Sequence, residues 1–68
     1  MTRNELTECI RTHQHVFFRD TEYIPQAYIL RLVKDKWHHS AELKELKANC
    51  IVIADLERVK AIAQYEKS

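Results

Sequence analysis

The 68-residue chain contains no glycine and a single proline, Pro25. Glycine supplies the positive φ angles of tight turns and hairpin loops at no steric cost. Its absence leaves few evident ways to build a compact sheet, and the composition therefore predicts an all-α domain with simple turns. It also removes the glycine-rich loops that cradle phosphates and the backbone nests that hold oxyanions, and with them most nucleotide-binding and catalytic designs.

Other shortages narrow the field further. The only cysteines are Cys9 and Cys50, and the polar opening Thr2-Arg3-Asn4-Glu5-Leu6 has no apolar segment of the signal-peptide kind. That combination predicts a cytoplasmic protein with reduced thiols. The longest apolar run, Cys50-Ile51-Val52-Ile53-Ala54, is far too short for a membrane span. No dense basic face is present either. Eleven Lys and Arg stand against ten Asp and Glu, and only residues 25–39 lean basic, with three against one. Nucleic acid is thus an unfavoured partner, although Arg31, Lys34, Lys36, His38 and His39 around Trp37 form one local basic segment that a DNA-binding regulator would use.

What the chain does have is apolar bulk: six Leu, six Ile, four Val, two Phe, three Tyr and one Trp in 8.1 kDa. A single core of this size yields only about 3–5 kcal/mol of net stability. Three short helices also cannot hide all these side chains, so the composition predicts a homodimer joined through a self-complementary apolar patch.

The patterning reads as a small helical bundle of two to three helices, at about 2–18, 25–38 and 40–67, completed by homodimerisation. Thr2-Arg3-Asn4-Glu5 fits a capping box. Leu6, Cys9, Ile10, His13 and Phe17 follow at helical spacings. Pro25 separates this stripe from a second one, in which Ile29, Val33 and Trp37 share a line with Tyr28 and Leu32 beside it. Ser40 is a candidate N-cap for a third helix carrying Leu43, Leu46, Cys50, Ile53, Leu56 and Val59. Ile51-Val52-Ile53 is β-branched enough for a strand, but without turn signals it has nothing evident to pair with. The predicted core or dimer contacts are Leu6, Ile10, Phe17, Ile29, Val33, Leu46, Ile53, Leu56 and Val59.

Candidate sites are few. Cys9, His13 and His15 lie close in sequence, and His38-His39 adds two more imidazoles, yet the spacing matches no zinc signature and no metal or other cofactor is expected. A thiol nucleophile would need an orienting group and an oxyanion hole that this chain does not evidently provide, so no enzyme is expected. Phe18, Tyr23, Tyr28, Arg31 and Trp37 are the candidate partner-binding residues, being of the types that dominate interface hot spots. In size, expected helical build, lack of glycine and lack of catalytic residues, the chain resembles the small anti-activator and host-takeover proteins of bacteriophages. That resemblance implies a protein-protein interaction module that inhibits a larger regulatory protein such as a transcriptional activator.

Overall fold

A computed structural model describes residues 1–62. The order of elements is α1 (Arg3–Thr12), β1 (Val16–Phe18), β2 (Thr21–Val33), β3 (Lys36–Glu45), β4 (Ile51–Asp55), a 3₁₀ turn (Leu56–Arg58) and β5 (Lys60–Ala61). The five strands form one antiparallel sheet in the order β4-β3-β2-β1-β5. The expected all-α helical bundle is therefore incorrect. Of the three expected helices only the first is present, and it ends at Thr12 rather than 18. Segments 25–38 and 40–62 are mainly strand, and the remainder of 40–67 lies outside the described residues.

The helix forms where the cap signal stands. The Thr2 hydroxyl accepts from the Glu5 amide and the Glu5 carboxylate accepts from the Thr2 amide, an arrangement that contributes about 1 kcal/mol. His13 ends the helix in the left-handed conformation, φ 60°, and the Gln14 amide donates to the Cys9 carbonyl at 2.9 Å. This is the position that glycine usually takes.

The hairpins have the same origin. Phe18 pairs with Thr21 and Val33 pairs with Lys36, so each hairpin turns over two residues, Arg19-Asp20 and Lys34-Asp35. All four have φ between 50° and 62°, the signature of a type I′ turn. Two aspartates, an arginine and a lysine thus do what glycine would do more cheaply. That is the physical reason the glycine argument fails: left-handed backbone costs a non-glycine residue about 1–2 kcal/mol, and the sheet tolerates the cost.

Pro25 lies inside β2 rather than at the head of a helix. The register slips between Pro25 and Ala27, which leaves Gln26 exposed as the extra residue of a bulge, a position where proline is accepted in a sheet. Because β1 pairs with β2 only over residues 21–23, the missing amide of Pro25 breaks no second ladder.

One face of the sheet is covered. Leu6 and Cys9 of α1 are buried together with Val16, Phe18, Tyr23, Ala41, Leu43, Ala54, Leu56 and Val59. The phenyl and phenol rings of Phe18 and Tyr23 lie 6.3 Å apart at 53°. Among the described residues, no element packs on the other face, and none of the helices is long and apolar enough to cross a membrane.

Candidate functional site: a projecting two-stranded ribbon

The β2-β3 hairpin is longer than the rest of the sheet. Beyond the Ser40-Asp55 pair β3 loses its β4 neighbour, and beyond Tyr23 β2 loses β1. Four levels of paired residues, from Leu30-His39 to Val33-Lys36, therefore stand free as a two-stranded ribbon of about 14 Å at about 3.4 Å per level.

Strand alternation sorts its side chains. Ala41 and Leu43 face the core, so His39 and Trp37 continue that inner face, with Tyr28, Leu30 and Leu32 opposite Ala41, His39 and Trp37 in register. Arg31, Val33, Lys36 and His38 lie on the outer face. The Tyr28 hydroxyl and the His39 Nδ1 share a hydrogen bond, with their rings 5.9 Å apart. Past this pair the ribbon is exposed on both sides: Leu32 is 54% and Trp37 60% exposed, and Leu30 and Val33 are exposed as well. Of the seven large apolar side chains exposed among the described residues, four are on the ribbon. Arg31, Lys34 and Lys36 have no ion pair among the described residues.

An open groove of about 490 Å³ is lined by Trp37, His38 and His39 on the ribbon and by Met1, Asp55, Leu56 and Glu57 across from them. Its lining mixes apolar side chains with two carboxylates.

The structure separates the residues singled out from sequence. Tyr28, Arg31 and Trp37 come together on the hairpin, whereas Phe18 and Tyr23 are buried in the core. Of the expected core or dimer residues, Leu6, Leu56 and Val59 are buried; Ile10, Phe17 and Ile29 are half-buried; Val33, Leu46 and Ile53 are exposed. Sequence reasoning passed over Leu30 and Leu32 as binding residues. The signal was the two-residue alternation Tyr28-Leu30-Leu32, which the helical reading overrode.

The histidines and cysteines are dispersed. His15 Nδ1 lies 2.5 Å from a Glu22 carboxylate oxygen at the β1-β2 end, far along the sheet from His38 and His39, and His13 caps the helix. Among the described residues, no group of three or more potential metal ligands is assembled. Burial, reinforced by the Glu5 and Glu8 carboxylates, pushes the Cys9 thiol above its ordinary pKa, which makes it a poor nucleophile at neutral pH. Comparison with protein families, curated proteins and solved structures finds no match to this chain.

Proposed function

We propose that the chain is a non-enzymatic binding module that uses its projecting ribbon to engage and block a larger protein. The observation that carries this reading is the exposure of Leu30, Leu32, Val33 and Trp37 on a ribbon that projects beyond β1 and β4 among the described residues. Such side chains cost solubility and contribute little to folding where they stand, and apolar clusters of this kind mark interaction sites. Trp and Arg are hot-spot residue types, here on opposite faces of the ribbon, and among the described residues both ribbon edges present unpaired backbone groups to which a partner strand can add. A transcriptional activator as the target rests on the likeness to phage anti-activators in size and composition; the helical build that also supported it is absent.

The test is affinity capture from bacterial lysate, followed by binding titration of the captured protein against Trp37→Ala and Leu32→Ala. Each is expected to weaken binding at least tenfold, about 1.4 kcal/mol, with the fold unchanged. A partner bound equally by both variants would remove the ribbon from the reading.

One observation favours a second reading. The basic segment Arg31 to His39 now forms the tip of a β-ribbon, an element that enters the DNA major groove in several regulators. This reading predicts salt-sensitive mobility shifts that weaken in Lys34→Ala and Lys36→Ala. No shift at low salt eliminates it.

A further inference from the structure

The sheet has a covered face and an open one, and the open face is patterned. Strand β3, lying between β4 and β2, contributes Ser40, Glu42 and Lys44 in line. On the β4 side these pair with Asp55, Ile53 and Ile51, and on the β2 side with Ile29, Ala27 and Ile24. At the Glu42 and Lys44 levels the polar strip thus runs between apolar side chains, Ile53 and Ile51 on one side and Ala27 and Ile24 on the other, while Ser40 stands beside Asp55. Ile51 and Ile53 are 48% and 52% exposed, although isoleucine on a sheet face normally contributes by burial. Glu42 and Lys44 are half-buried, and neither has an ion pair among the described residues.

We infer that this open face is a two-fold homodimer interface in which Glu42 of each protomer pairs with the partner's Lys44. Glu42 and Lys44 are two residues apart on one face of one strand, so they stand about 7 Å apart. A two-fold axis lying in the interface plane, perpendicular to β3 and level with Leu43, places Glu42 over the partner's Lys44 and Lys44 over the partner's Glu42. The same operation places Ile51 over the partner's Ile53 and Ile53 over the partner's Ile51. One opposite-charge step on one strand therefore yields two intermolecular ion pairs flanked by apolar contacts, as a self-complementary two-fold patch requires. The sheets stack face to face in the aligned manner of a sandwich. The need for it is plain in the monomer, where the ten buried apolar residues among the described ones make a small core.

The rotation reverses the strand direction, so the two ribbons project from opposite ends of the dimer. The interface lies on a different face from the ribbon's Trp37, and the inference stands whatever the ribbon binds.

Charge exchange tests it. In sedimentation equilibrium the unaltered protein is expected to be a dimer. Glu42→Lys and Lys44→Glu each place like charges face to face and should weaken the dimer at least tenfold. Circular dichroism serves as the check that both retain the sheet. An equimolar mixture of these two variants should form a heterodimer, since every facing pair is then opposite in sign, and the doubly exchanged E42K/K44E protein should dimerise again. An unaltered protein that stays monomeric at high micromolar concentration overturns the inference. So does a single exchange that leaves the dimer intact, or a mixture and a double exchange that both fail to restore it. If the single variants lose the sheet, the double exchange alone decides.

Discussion

At the residue scale, the turn positions carry the most unusual chemistry. Lys34 and Asp35 hold φ of 50° and 62°, and a side chain at either position pays a steric cost that Asn-Gly would largely avoid. Replacing Lys34-Asp35 by Asn-Gly is expected to stabilise the protein by about 1–2 kcal/mol, seen as a rise in melting temperature of about 4–8 °C per kcal/mol. An unchanged or lowered melting temperature would show that this turn is not left-handed. Glu5 offers a second check. Hydrogen bonds from the Thr2 backbone and hydroxyl hold its carboxyl below the ordinary value. The folded-state pKa is lower than the unfolded one, so the contribution is present above the ordinary carboxylate pKa and is lost as pH falls through the folded value. Glu5→Gln keeps an acceptor but not the charge, and its melting temperature should fall less on acidification than that of the unaltered protein; identical pH profiles would contradict the capping role.

At the element scale, legibility divided cleanly. Helix α1 was readable because Thr2, Glu5, Leu6 and Cys9 express local rules, a cap and a periodic stripe, that need no distant partner. The hairpins were not readable, because their turns use Arg19-Asp20 and Lys34-Asp35, residues that rarely announce a type I′ turn. In β2, the apolar residues Tyr28, Ile29, Leu32 and Val33 fall at helical spacings because Ile29 and Val33 on the outer face add to Tyr28 and Leu32 on the inner one, which blurs the alternation a half-buried strand would show. The bulge between Pro25 and Ala27 then shifts what alternation remains by one residue. Ile51-Val52-Ile53 did carry a strand signal, and its partner β3 was concealed by the same failure. The division between ribbon and sheet body predicts opposite stability effects for two large side chains on the same strand. Leu43 is fully buried, and Leu43→Ala should cost about 2–5 kcal/mol, enough to unfold a small domain. Trp37→Ala, six residues away on the exposed ribbon, should change stability by no more than about 0.5 kcal/mol. Thermal or urea melts of the two variants measure this directly, and a large loss in Trp37→Ala would mean that the ribbon is folded back onto the body.

At the scale of the whole molecule, the described residues make a thin object: one sheet, one short helix on one face, and a ribbon that projects from the body. Composition shows abundant apolar side chains, and among the described residues Leu32, Trp37, Ile51 and Ile53 are ones that stand exposed. It could not say that these are divided between two surfaces, a ribbon tip and an open sheet face, because that division depends on strand pairing between residues distant in sequence. The candidate binding residues were legible in part for the same reason: Arg31 and Trp37 were conspicuous by type, while Leu30 and Leu32 become candidates only once they are seen to be exposed on the ribbon. The binding role proposed for this protein depends on residues 30–39 being a projecting antiparallel ribbon. The most direct measurement is a nuclear Overhauser spectrum of the isotope-labelled protein. Close contacts between backbone α-protons should appear across the ribbon at every second level from Leu30-His39 to Val33-Lys36, with slow amide exchange confined to the hydrogen-bonded levels between. Amide contacts three and four residues apart running through 25–38, as in a helix, would contradict it.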